Sequence, residues 1–413
     1  MHAPCRPLLL ALALASTSGS AEGPVLPSPP AIEPGAIEEI SRRVEEIRGL
    51  KFKSRVRVEV VGHEAAREYA TRRLSRFTSP EEIAAEERVY QVLRLLPPGT
   101  SLEDAYKNAV MEAVAGFYDP ERKELYLLDD VPGTAGSIFA AHELTHALED
   151  QHYDLDARIE RSMRDGDCAF AAMALHEGSA SLVMAIFTER ALAEGRLKRG
   201  DLDALASSDR GRGEKVAALS PLLRRQLLGA YVLGVRFLLR GKSSITGIDF
   251  PGEETDGCYR DGPRSSEQIL HPDKFWDPGR RDPPRRVDLP EFPPLLAAGW
   301  KRAGEGTMGE LSLGLLVGAP TPRRWTPSAL VVEEWTNEAA SGWGGDRWQL
   351  WTRGRNALVV LATVWDSFAD AREFARALQR RDDLHWKRSG SRVAIIAGQE
   401  DSRLTRSVLR EFR

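Results

Sequence analysis

Apolar positions along the chain set out the elements. Ile37, Ile40, Val44 and Ile47 recur at three- and four-residue steps and predict a helix over 36–49, and the alternation in "RVRVEVV" at 55–61 predicts a strand. Helices follow at about 64–77, 80–96 and 101–114. "AGFYDPERKELYLLDD" then holds a turn at Asp119-Pro120 and a strand at 124–128. From 137 to 151, Ile138, Ala141, Leu144, Ala147 and Leu148 line one helical face, with His142 and His146 out of phase with it. Two more helices are expected at 165–194 and 216–242. The Pro- and Arg-rich stretch at 277–295 cannot hold a regular element and marks a boundary. After it, "RWQLWTRG", "ALVVLATVW", a helix at 367–380 and "RVAIIAG" predict a small α+β unit. The glycine-rich, aromatic segment at 339–348 either lines a cleft or forms a tight turn before a strand. The expected fold class is α+β and predominantly helical.

Composition adds a size and a compartment. The chain has 413 residues, 42% of them hydrophobic and 29% charged, with a net charge of -4, enough for a full core and two domains. With charge near balance and no basic run interleaved with aromatics, neither nucleic acid nor an anionic membrane is an expected partner. Arg6, the apolar run Leu8–Ala15 and small residues up to Ala21 predict a secretory signal over 1–21, and the run is too short for a membrane anchor. Export to the periplasm or beyond is therefore expected, and no integral membrane segment is expected to remain after cleavage. Cys5 would leave with the signal. A Pro-rich tether follows over 22–35, then a first domain over 36–276, a linker over 277–294 and a C-terminal α+β domain over 295–413. Cys168 and Cys258 remain, either as one disulfide or as a helix thiol and a loop thiol.

Candidate chemistry centres on "AAHELTHALED" at 140–150. On a helix, His142 and His146 at i and i+4 stand one above the other and can reach one tetrahedral zinc, while Glu143 beside them can deprotonate a water. Neutral imidazole binds zinc, and a carboxylate can take a proton and return it to a leaving amine. A catalytic zinc needs a third protein ligand. Within "CAFAAMALHEGSASLVMAIF" the only ionisable groups besides the Cys168 thiol are His176 and Glu177, and an unpaired carboxylate there would cost several kcal/mol unless a cation relieves it. Adjacent residues point about 100° apart on a helix, so only one of the two faces the metal. The same charge speaks against this stretch as a membrane span.

HExxH with a downstream glutamate on a second helix resembles the gluzincin group of zinc metallopeptidases, the thermolysin-like zincins. The chain is also similar to a set of bacterial exported proteins in "GFYDP", "HELTHALEDQ", "LHEGSA", "SSEQILHPDKFW" and "GWGGDR", across most of residues 110–350. The resemblance implies a zincin core, Glu177 as the zinc glutamate, one zinc per chain, and an edge strand before the active-site helix able to pair with an extended peptide. Two departures stand out: His146 and Glu177 are 31 residues apart, longer than usual, and Ser181 stands where an aspartate is usual. Asp150 or Asp154 could orient a ligand imidazole instead. His271, Tyr259 and Arg260 are candidate donors to the developing oxyanion, with Glu267 one turn before His271 able to orient it. Gly178 and Ala180 would let the second helix come close to the first.

The expected function is an exported zinc metallopeptidase that hydrolyses peptide bonds with a zinc-activated water and Glu143 as general base. The alternatives are a zinc-containing protein that binds a peptide or cell-envelope component without cutting it, and hydrolysis of another acyl group.

Overall fold

The computed structural model describes residues 34–113, 116–129, 133–163, 165–202, 218–242, 247–320, 334–398 and 402–412. The expected signal, most of the tether and the first residues of the helix predicted from 216 lie outside them. The fold is α+β, with a helical body and a small C-terminal β unit.

The helical body opens with α1 (Pro34–Arg48), β1 (Arg57–Val61), α2 (His63–Phe77), α3 (Pro80–Val92), α4 (Leu102–Ala113), β2 (Gly116–Asp119) and β3 (Glu124–Leu128). It continues with α5 (Gly133–Tyr153), α6 (Leu155–Ser162), α7 (Gly166–Ala193), α8 (Pro221–Leu238), α9 (Gly252–Arg260), α10 (Ser266–Leu270) and α11 (Asp273–Trp276). A capping box starts α3: the Ser79 side chain accepts from the Glu82 N–H and the Glu82 carboxylate accepts from the Ser79 N–H. It stops at Val92, earlier than its apolar spacing predicts, because Arg94 adopts φ 56° and two prolines follow at 97 and 98.

A three-stranded sheet of order β1-β3-β2 pairs β1 parallel and β2 antiparallel to β3. Strand β2 was not foreseen: four residues are too few for an alternation to register. Helix α5 is buried on every side, not only along its apolar stripe. Helix α7 is long and apolar enough to cross a membrane by length and composition, and here it is largely buried as a core helix running unbroken through Gly178. Gly178 does not face α5. A Cβ on it would lie 2.3 Å from the Gly234 carbonyl carbon, and one on Gly234 would lie 1.9 Å from the Ala174 oxygen, so α7 and α8 cross with their backbones in contact.

The C-terminal unit comprises α12 (Pro293–Ala297), β4 (Lys301–Gly306), α13 (Gly309–Leu316), β5 (Trp343–Arg353), β6 (Asn356–Trp365), α14 (Phe368–Leu378), β7 (Leu384–Ser389), β8 (Arg392–Gly398) and α15 (Ser402–Arg410). Its antiparallel sheet runs β4-β5-β6-β8-β7. One apolar cluster joins Leu74, Ile83, Val89 and Leu222 of the helical body to Trp343, Leu361, Phe374 and Ile395. The Pro/Arg-rich stretch between the units is pinned. The Arg285 N–H donates to the Gly344 carbonyl (2.6 Å), and the absence of side chains at Gly344 and Gly345 makes room for Arg285. The 339–348 segment therefore receives the linker at the start of β5. Lys274 donates to Glu267 (2.6 Å), Asp282 (3.1 Å) and Asp366 (2.7 Å), filling with its ammonium the centre of a carboxylate group that draws on both units.

Candidate metal centre

Helix α5 carries two stripes of polar side chains. His142, His146 and Glu149, at i, i+4 and i+7, turn toward α7, and Glu143 and Asp150, also seven apart, turn toward β2. All five are buried. The histidines stand off the apolar stripe, as their spacing predicts, and α7 covers them, so that they are 1% and 8% exposed.

On the first stripe three donor atoms converge. His142 Nε2 lies 3.2 Å from Glu177 Oε2, His146 Nε2 lies 3.6 Å from the same oxygen, and the two Nε2 atoms are 3.2 Å apart. Zinc bonds of about 2.0–2.1 Å at tetrahedral angles would hold ligand atoms about 3.3–3.4 Å from one another, so the spacing fits a single ion. Chemistry agrees with geometry: Glu177 Oε1 is buried with no hydrogen-bond partner among the described residues, and Glu177 itself is 1% exposed. A metal ion can be held by His142, His146 and Glu177.

The electrostatics follow from that convergence. Burial works against ionising Glu177, yet His146 and His142 hold its carboxyl well below the usual carboxylate range. Burial likewise opposes a charge on His146, and Glu177 overrides it, carrying the imidazole up to about 9, whereas burial lowers His142. On the second stripe, burial pushes Glu143 up to about 8. Its Oε2 accepts the Tyr118 N–H (3.0 Å) and its Oε1 has no partner among the described residues.

Of the two ionisable residues in the middle of α7, only Glu177 joins the histidines. His176 points elsewhere, its ring 5.5 Å from that of Tyr259, and burial pushes it down to about 3. The other expected site residues have different tasks. Tyr259 donates its hydroxyl to Glu149 Oε2 (2.7 Å), which engages it away from any oxyanion. Arg260 is exposed at the end of α9. His271 pairs with Glu310 Oε1 (3.0 Å), not with Glu267, which is taken by Lys274, and it is not among the residues whose donor atoms converge at the metal centre. Neither Asp150 nor Asp154 orients an imidazole. Asp150 accepts from the Tyr118 hydroxyl, Lys123 and the Leu155 N–H, and Asp154 caps α6 through the Ala157 N–H. Cys168 and Cys258 are both free thiols, each pushed up to about 12 by burial, so the disulfide alternative is not realised.

Strand β3, nearest in sequence to α5, is central, and the free edge beside α5 belongs to β2. That edge is engaged at Tyr118, whose N–H serves Glu143 and whose carbonyl accepts the Tyr69 hydroxyl (3.0 Å). Tyr118, Glu149 and Tyr231, whose ring lies 6.1 Å from that of His142, are the site residues that sequence reasoning missed. "GFYDP" contains Tyr118 and "HELTHALEDQ" contains Glu149, but neither motif showed what these side chains do.

A family profile described as a domain of unknown function (DUF8575) matches residues 295–407, which lie outside the metal centre. No curated protein and no solved structure matches the chain.

Proposed function

We propose that the protein is an exported zinc metallopeptidase of the gluzincin type, with His142, His146 and Glu177 holding the zinc and Glu143 as general base. The observation that carries this is the convergence of three buried donor atoms at tetrahedral spacing beside a carboxylate with one unpaired oxygen. Zinc, when bound, supplies a Lewis acid that polarises the scissile carbonyl and lowers the pKa of water. The chain supplies the rest. Glu143 takes a proton from the attacking water and returns it to the departing amine, and the Tyr118 N–H, fixed on Glu143 Oε2, leaves Oε1 as the oxygen that carries it.

The test is metal analysis of the purified protein together with cleavage of a denatured general protein substrate, with and without chelator. One zinc per chain and chelator-sensitive cleavage are expected, and Glu143→Gln should keep the zinc and lose turnover. Absence of zinc after refolding with the metal would end the proposal.

A second function has one observation in its favour. The four site residues are at most 8% exposed and β2 is engaged at Tyr118, which suits a zinc-containing protein that binds a peptide or envelope component without cutting it. It would be preferred if the wild type and Glu143→Gln both hold zinc and neither cleaves any member of a diverse peptide library.

A further inference from the structure

We infer that Glu149 is the positioning residue of the metal centre, held by a buried brace of Arg48, Ser179 and Tyr259. The inference rests on the metal-centre reading above. Glu149 is fully buried and lies three residues past His146, on the same stripe of α5. Its Oε1 accepts from Arg48 Nε (2.6 Å) and Ser179 Oγ (2.5 Å), and its Oε2 accepts from the Tyr259 hydroxyl (2.7 Å). The three donors come from three elements, α1, α7 and α9.

Ser179 is two residues past Glu177, so the Ser179–Glu149 hydrogen bond is a strut between the two helices that carry the ligands. It spans them within one turn of both His146 and Glu177. A slip of α5 along α7 would part the three donor atoms, and this strut opposes the slip. Arg48 and Tyr259 fix the other end. Arg48 also bonds Asp256 Oδ1 (2.7 Å), and Tyr259 stacks on Tyr153 with ring centroids 4.6 Å apart. Residues behind ligands commonly set metal affinity by orienting what they touch; here the hold is on the helices, because the carboxylate has no bond to either imidazole. Through Arg48 the first helix of the described chain becomes part of the metal centre's back wall.

The test compares Tyr259→Phe and Ser179→Ala, each of which removes one hydroxyl from Glu149, with the full-length protein. Zinc affinity is read by competition with a chromophoric chelator, the visible absorption of the cobalt(II)-loaded protein reports ligand geometry, and thermal midpoints are taken with chelator present. Both variants are expected to bind zinc about 10- to 100-fold more weakly and to shift the cobalt bands. Wild-type zinc affinity and unshifted cobalt bands in a folded variant of either kind would overturn the inference, whatever happens to the metal-free midpoint. If the wild type binds no zinc, the metal-centre reading itself fails, and that result is separate from the variants.

Discussion

Replacing Gly234 by alanine should destabilise the protein although alanine is the better helix former. On an open helix the exchange gains about 1 kcal/mol. At Gly234 the new methyl would sit 1.9 Å from the Ala174 oxygen and 2.8 Å from the Gly178 Cα, both parts of a backbone that no rotamer change can move. Restoring an ordinary separation of about 3.5 Å requires α8 to lift from α7 by about 1.5 Å. Over a contact patch about 10 Å on a side this opens on the order of 150 Å³, which at about 24 cal/mol per Å³ costs about 3.6 kcal/mol. The net loss is then about 2–3 kcal/mol. Urea unfolding measures it, with Gly257→Ala as the comparison: Gly257 also lies in a helix, nothing is within 4 Å of its added Cβ, and the substitution should be neutral or stabilising. Because Glu177 adjoins the crossing, Gly234→Ala should weaken zinc binding as well. A gain in stability at both positions would show that α7 and α8 do not touch along their backbones.

Three further outcomes are expected. Glu177→Ala should lose zinc affinity as severely as His146→Ala, while His176→Ala should keep the metal, as a chelator titration would show. Glu86, buried with only the Tyr90 hydroxyl on its Oε1, is pushed up to about 8 by burial from an ordinary 4.5. The folded state therefore keeps a proton that the unfolded state releases. The contribution of this group to stability is full below about 4.5 and falls as pH rises, by up to about 1.4 kcal/mol per unit, until about 8, and Glu86→Gln should flatten that part of the urea-midpoint profile. Mass spectrometry of non-reduced protein, alkylated after unfolding, should find Cys168 and Cys258 both modified, and alkylation before unfolding should be slow because burial raises both thiols.

What the sequence made legible was chemistry with a local spacing or a local cost. His142, Glu143 and His146 follow from one helical repeat, and Glu177 from a charge that an apolar helix cannot carry alone. What it hid depends on partners far along the chain or on the backbone. Glu149 meets Arg48 from 101 residues away and Tyr259 from 110. Glu310 takes His271 from 39 residues away, where the nearer Glu267 looked sufficient. Tyr118 holds Glu143 by a main-chain N–H, which every residue but proline possesses and no side-chain pattern reveals. The burial of α5 on its other faces was hidden for a related reason. A helix with one apolar stripe is normally half exposed, but a helix whose other stripe binds a buried centre is enclosed all round.

The pinned linker and the core shared by the helical body and the C-terminal sheet bear on how the molecule comes apart. With Leu74, Val89 and Leu222 packed in one cluster with Trp343 and Phe374, and Lys274 drawing in Asp366 just after β6, neither part can melt without exposing apolar surface of the other. Calorimetry should record a single cooperative transition for the intact chain, and a fragment restricted to residues 295–407 should be poorly soluble, having lost the helices against which its sheet is packed.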